Sequence, residues 1–514
     1  MQQAIFTTSC PSCGAPVEAH SASSVTLVCG YCHSTLLRED GSVRNLGLDA
    51  ALVDDASPLQ LGSGGRYQMR RFTLIGRLQV RYEAGAWNEW YILFDDGSTG
   101  WLSEAGDLYV LTRRAGQQPG PGDMPAFDEI EVSFTRVHYH QRPYLAADKR
   151  QAVLHRAGAE GELPFRLQAD MPVQVVDCRS EQYFLTLDYG SGEAVPEVFA
   201  GETVALEALA PDNLRSDGRI RLKGTIRSSA CPQCGGTVQW AQDVSSHVVC
   251  PSCSSQIELA GDDLRVAEAH NQRQQQQQRL TLQVGQVGNI NGQSWQVMGI
   301  VVRQEWTADA AWRAFTPQGN PGMQGWEKGW WTEYLLYNRQ QGWRWLVESE
   351  DGWQQSATLT QWPLLDGDNK PLSNGRRLPE LYSYGGSVLF AAGAFYWQVR
   401  EGDMNHYTDY QWGRGKLCAE RSADELAWSR SQPVPYHQVA AWFGLTRHAA
   451  QTSATGKPVL PWILIVLFTL INLPAWLVIL ADGDFNGLTF LLSAAVYWLL
   501  WRPLAGGGDD DDEA

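Results

Sequence analysis

Eight of the ten cysteines stand in two quartets of identical spacing. Cys10-Pro-Ser-Cys13 and Cys29-Gly-Tyr-Cys32 form the first; Cys231-Pro-Gln-Cys234 and Cys250-Pro-Ser-Cys253 form the second. Both read C-x2-C-x15-C-x2-C. A two-residue gap lets one tight turn present two sulfurs, and two such knuckles supply a tetrahedral shell of four thiolates. Each quartet is therefore expected to fold as a small ribbon around one metal ion, with Cys10, Cys13, Cys29, Cys32, Cys231, Cys234, Cys250 and Cys253 as ligands. Zinc is the expected ion, two per chain, and iron in a rubredoxin-like site is the chemical alternative. Gly14 and Gly235 follow the second ligand of each set, where a permissive backbone lets amides approach the sulfurs. Four cysteines leave no open coordination position, so the metal is expected to be structural.

The quartets also mark a repeat. Cys10 falls on Cys231 at an offset of 221, and Leu59-Gln-Leu-Gly62 falls on Leu282-Gln-Val-Gly285 at 223. Asn88-Glu-Trp-Tyr91 then falls on Thr332-Glu-Tyr-Leu335, and Trp101-Leu-Ser-Glu104 on Trp345-Leu-Val-Glu348, both at 244. The jump places about 21 extra residues between Glu305 and Trp331 of the second copy, in a Gly-, Pro- and Trp-rich stretch that reads as a surface loop. Late in the copies, Asp188-Tyr189 is set against Asp409-Tyr410. Each unit is a ribbon plus a larger module. Short aromatic and β-branched runs such as Phe72–Ile75, Leu78–Tyr82, Trp90–Phe94, Trp295–Met298, Ile300–Val302, Val388–Phe390 and Phe395–Val399 predict strands. Regular short strands without long amphipathic helices argue for a small barrel or sandwich.

The expected fold is mainly β: two zinc ribbons, each followed by a β-rich barrel- or sandwich-like module, with a C-terminal α-helical transmembrane hairpin. The segments run as ribbon 1–40, linker 41–58, module 59–225, ribbon 226–262, polyglutamine linker 263–279, module 280–445, juxtamembrane linker 446–457, hairpin 458–505 and acidic tail 506–514. Val459 to Leu480 is uncharged over 22 residues, long enough as a helix to cross a bilayer core. A shorter apolar run, Leu488 to Trp501, follows the polar turn Asp482–Gly487. Arg447, Lys457 and Arg502 flank the pair while the turn has no basic residue, which predicts two passes with both termini in the cytoplasm. Cysteines grouped as metal ligands fit that reducing compartment, and the N-terminus carries no signal-peptide pattern.

Net charge is −17 with no basic block, which argues against nucleic acid as main partner. The unpaired Cys178 and Cys418 read as small buried hydrophobes. His138-Tyr-His140 reads as exposed positions on an edge strand in preference to a metal pair. Ten of the 22 tryptophans fall between Trp295 and Trp362 and read as packing residues before a stacking platform. No nucleotide-binding or hydrolase motif appears, so no catalytic or cofactor-binding residue is assigned.

Ribbon, β module, ribbon, module and hairpin together resemble a bacterial family known as domain of unknown function 4178. The resemblance rests on Leu61-Gly62 and Val284-Gly285, on the repeated Asn88…Glu104 and Thr332…Glu348 pattern, and on Gly393–Trp397 and Glu425–Ser429. It implies no established activity, and places the chain with bacterial membrane-associated systems. The expectation is thus a protein-interaction or scaffold protein on the cytoplasmic face of the inner membrane, serving envelope maintenance or stress response. It would meet protein partners there and the lipid bilayer through its hairpin. A zinc-ribbon nucleic-acid-binding regulator and an enzyme with a site in a module cleft are the alternatives.

Overall fold

In the computed structural model, residues 3–39, 42–50, 52, 57–82, 85–105, 108–120, 122–155, 158–168, 170–215, 224–242, 244–260, 263–268, 280–315 and 329–445 are described, with Thr469 and Asn472. The first ribbon contributes Thr26–Val28 (β1) and Ser34–Glu39 (β2). The first module contributes Arg70–Tyr82 (β3), Gly85–Phe94 (β4), Thr99–Ala105 (β5), Leu108–Arg114 (β6), Arg142–His155 (β7), Gly158–Leu163 (β8), Asp170–Ser180 (β9), Tyr183–Asp188 (β10) and Glu197–Val204 (β11). The second ribbon gives His247–Val249 (β12) and Gln256–Ala260 (β13). The second module gives Gln293–Thr307 (β14), Gly329–Asn338 (β15), Gly342–Ser349 (β16), Gly352–Thr358 (β17), Glu380–Phe395 (β18), Met404–Trp412 (β19), Gly415–Arg421 (β20) and Leu426–Val434 (β21).

The second module is a closed eight-stranded antiparallel barrel. Its order is β14-β15-β16-β17-β21-β20-β19-β18, and β18 returns to pair with β14 from Gly393↔Gly299 to Tyr384↔Thr307. The first module runs the same course, β3-β4-β5-β6-β11-β10-β9-β7, and closes through β8, which continues from β7 and pairs with β3 at Gly161↔Gly76. The barrel alternative is therefore the correct one; closure leaves no sheet edge in the wall. Runs expected as separate strands fuse: 72–75 with 78–82 in β3, and 295–298 with 300–302 in β14. Each fused strand carries a bulge, between Leu74 and Gly76 and between Val297 and Gly299, which breaks the period-two pattern and bends the wall. The expected strand 395–399 is not one, since β18 ends at Phe395.

Both ribbons add to their barrel's wall. Val28 of β1 pairs with Gly161, and Val249 of β12 pairs with Gly393. Gly161 and Gly393 have φ of +71° and +99°, and a Cβ there would collide with the carbonyl oxygen of Ile75 or Met298. Only glycine lets three backbones meet at this seam. Ser42–Asp49 and Asp263–Glu268 extend the two ribbons by one strand each.

The two copies pack together within the unit Met1–Thr446. Val132, Leu145 and Ala147 of the first meet Tyr410, Leu417 and Trp428 of the second in one apolar cluster. The insertion expected as a loop supplies a helix, Ala308–Ala314 (α1), in keeping with its run of alanines. Its Trp312 ring lies 4.3 Å from His406 and 5.6 Å from Phe134 of the first copy. A second helix, Tyr436–Phe443 (α2), buries Val439 and Phe443 against the strand Val287–Ile290 and the β14–β17 side of the second barrel. The late register sets Asp177, not Asp188, against Asp409: each lies 16 residues after the seam glycine (177−161 and 409−393).

The expected two-pass membrane placement does not stand. Among the described residues no helix is long and apolar enough to cross a membrane. The helices α1 and α2, of 7 and 8 residues, reach only about 10–12 Å. Residues 458–505 lie outside the described residues except for Thr469 and Asn472.

Candidate metal centres and the barrel chambers

In each ribbon the four cysteine sulfurs lie within 4.8 Å of one another. Cys10 Sγ is 3.7 Å from Cys32 Sγ and Cys13 Sγ is 3.6 Å from Cys29 Sγ; the second set gives 3.9 Å for Cys231–Cys253 and 3.7 Å for Cys234–Cys250. A zinc–sulfur bond of about 2.3 Å in tetrahedral geometry demands sulfur–sulfur edges of about 3.8 Å. The residues present thus fit a four-thiolate metal site in both copies. All ten cysteines are free.

The knuckles explain the fit. Gly14 N–H donates to Cys10 O at 2.8 Å and Gly235 N–H to Cys231 O at 2.9 Å, both glycines at φ +76°. The second knuckles turn at His33 and Ser254, also at positive φ. Ser12 N–H points at Cys10 Sγ and Gly236 N–H at Cys234 Sγ, each at 3.4 Å. A serine two residues past the last ligand recurs: Ser34 Oγ is 3.3 Å from Cys32 Sγ and Ser255 Oγ is 3.2 Å from Cys253 Sγ. The hydroxyl and then the amide of Ser34 hold the Cys32 thiol down at about 6, which favours the thiolate a metal needs.

The ribbons are fastened differently. Buried Glu162 on β8 takes the N–H of His20 at 2.8 Å, its Nδ1 at 2.8 Å, the N–H of Ser21 at 3.2 Å and the Ser24 hydroxyl at 2.5 Å. The matching position in the second copy is Ala394, and there Val248, Met298, Tyr337 and Ala394 make an apolar contact. The repeated Trp-Leu-x-Glu pattern is also structural. Glu104 accepts from Ser57 Oγ at 2.7 Å and Trp90 Nε1 at 2.9 Å; Glu348 accepts from Thr281 Oγ1 at 2.6 Å and Tyr334 OH at 2.7 Å. These carboxylates pin the chain entering each barrel to its wall.

Side chains from both barrels line one cavity of about 2300 Å³. In the second, Arg303 Nε donates to Glu333 Oε2 at 3.0 Å, and Trp331 Nε1 donates to Glu333 Oε1 at 2.8 Å. Glu420 Oε1 accepts from Asn405 at 2.6 Å and Tyr407 OH at 2.9 Å, and lies 3.9 Å from Arg303 Nη2. Burial outweighs the Arg303 charge and raises Glu420 above the usual carboxylate range. Lys416 pairs with Asp409 at 2.5 Å. Tyr384 stacks on Tyr407 at 5.0 Å, and Trp331 meets both rings edge-on. In the first barrel, Trp87 and Ser103 donate to Glu89 at 2.7 Å each, and Thr186 donates to Asp177 at 2.6 Å. Burial pushes Glu89 up to about 7 despite those bonds.

The remaining sequence candidates scatter. His138 and His140 are exposed; His138 ends on an edge strand and His140 sits at φ +46° in the following turn. Among the described residues only the two cysteine quartets gather three or more metal-capable groups. Cys178 is buried in the first module's outer core, and Cys418 lies against Trp331, Tyr384 and Tyr407. The chamber network escaped the sequence reading, although the Trp-x-Glu element at 87–89 and 331–333 was a visible signal: charge at an alternate position of an otherwise apolar strand.

No curated protein matches the chain significantly. The profile of the family described as Domain of unknown function (DUF4178) matches residues 60–206 and 283–436, the two barrels. Since those matches cover more than half of its length, the chain belongs to the DUF4178 family and carries two copies of its domain.

Proposed function

We propose that the chain is a non-catalytic binding protein in which two zinc ions brace two β-barrels that serve as a scaffold for protein partners. One observation carries this reading. In both copies a ribbon with an all-sulfur shell is hydrogen-bonded into the barrel seam, at Val28↔Gly161 and Val249↔Gly393. A shell of four thiolates leaves no position for a substrate, so the metal supplies rigidity and not chemistry. Support for protein partners comes from Ser42–Asp49 and Asp263–Glu268, which end their sheets among the described residues and offer main-chain edges for strand addition. Iron would satisfy the same ligands. The net charge of −17 weighs against the nucleic-acid reading. A membrane anchor is no part of this proposal.

Metal analysis and X-ray absorption on the full chain test it. Two zinc ions per chain, each with four sulfur neighbours, and loss of a specific crosslinked partner on chelation are expected. An oxygen or nitrogen ligand on either zinc, or a fully folded metal-free chain, overturns the reading.

A further inference from the structure

The two barrels share a strand order but not a lining, and the difference points to a ligand. Four residues past the bulge glycine stands Val80 in the first barrel and Arg303 in the second (76+4 and 299+4). Fourteen residues past the seam glycine stands Val175 against Tyr407, and twelve past it Val173 against Asn405. The first barrel closes with valines at these places, so the fold does not require Arg303, Tyr407 or Asn405. A buried ion pair is costly to assemble and adds little net stability over well-packed apolar residues. The first barrel has its own lining arginine, Arg150, paired with Asp148 but more than a third exposed, so what sets the second apart is the near-complete enclosure of Arg303.

Arg303 is 6% exposed and lines the chamber, yet its Nη1 has no hydrogen-bond partner among the described residues. A buried guanidinium donor left unmade costs roughly 1–3 kcal/mol, which a bound acceptor would recover. Glu420 lines the same space, its side chain 37% exposed. Arg303 is paired with Glu333 and Lys416 with Asp409, and Glu420 lies beside them. An added anion would face Glu333 and Glu420, and an added cation would face Arg303. What remains open is one N–H donor, beside a partly exposed carboxyl group and aromatic walls. Adjacent hydroxyls on an uncharged ring supply an acceptor for that N–H and a donor for a carboxyl oxygen, and their C–H faces suit aromatic surfaces.

We propose that the chamber of the second barrel binds a neutral polyhydroxylated molecule, a mono- or disaccharide, held by Arg303 Nη1 and Glu420 against the Trp331–Tyr384–Tyr407 wall. The site stands independently of the scaffold reading.

The test is titration of the metal-loaded full chain with glucose, N-acetylglucosamine and maltose, followed by calorimetry and tryptophan fluorescence. Benzoate serves as the anionic probe. At least one sugar is expected to saturate, and benzoate is not. Arg303→Lys, which keeps the charge and removes the Nη1 donor, is expected to weaken binding about tenfold, equal to about 1.4 kcal/mol. Glu420→Gln and Tyr407→Phe are expected to weaken it severalfold, while Glu89→Gln in the first barrel leaves it unchanged. If Arg303→Lys loses near-ultraviolet circular dichroism, Glu420→Gln and Tyr407→Phe decide. The proposal is overturned if none of the three sugars saturates, if benzoate binds instead, or if Glu89→Gln weakens binding as much as the second-barrel variants.

Discussion

The two barrels have the same strand order and the same Trp-x-Glu element, but they spend their polar residues in different places. The first puts its strongest polar cluster on the outside, where Glu162 grips the ribbon through His20, Ser21 and Ser24. The second has Ala394 there and an apolar ribbon contact, and instead buries Arg303 and Tyr407 inside, beside Glu333 and Glu420. A closed wall fixes the backbone so firmly that its two faces can diverge independently. The outer face settles how the ribbon is held, and the inner face settles what the chamber can hold.

The comparison breaks most sharply at the metal. Cys29→Ser and Cys250→Ser each remove a fully buried ligand. Each is expected to halve the zinc content and to lower stability by at least about 3–5 kcal/mol, read by metal analysis and urea unfolding. Equal losses in the two variants would show that the seam contact matters more than how each ribbon is fastened. The next effect is Glu162→Ala. It orphans the donors of His20, Ser21 and Ser24 and is expected to cost about 2–4 kcal/mol, with faster hydrogen exchange in the first ribbon only. No change in ribbon exchange would remove the distinction between polar and apolar fastening.

The smallest effect is a pH dependence. Burial raises Glu89 in the folded chain to about 7, from its ordinary value of 4.5. Between those values the folded state holds a proton that the unfolded state has released, so stability falls as pH rises from about 4.5 to about 7 and levels off above. Allowing for the partial exposure of Glu89, the change is about 1–3 kcal/mol. Glu89→Gln is expected to flatten that part of the stability profile, and an unchanged slope would assign it to other groups.

Local chemistry was legible in the chain and non-local closure was not. The quartets could be read because their ligands lie within 23 residues of one another, from Cys10 to Cys32 and from Cys231 to Cys253. The repeat was legible through Glu89 and Glu333, but it slipped late, where Asp177 and not Asp188 answers Asp409. The barrel could not be told from a sandwich, because the deciding ladder joins β14 to β18, some 80 residues on. Nor could the chamber, since Arg303 and Glu420 meet only once that ladder is made. The apolar run at 459–480 misled for the opposite reason: it was judged on hydropathy alone, with no contact to test it.

The seam glycines have a consequence for how the chain reaches its fold. Pairing Gly299 with Gly393 brings together segments 94 residues apart, and contacts of that range form slowly. The ribbon strand that pairs with Gly393 belongs to a loop of 23 residues that metal can order early. A preformed ribbon can then act as a template edge onto which β18 docks before β14 arrives. Stopped-flow refolding with and without zinc reads this directly, since a closure rate indifferent to metal would leave the ribbon a passenger. In that sense the ions govern the order of assembly as much as the strength of the finished wall.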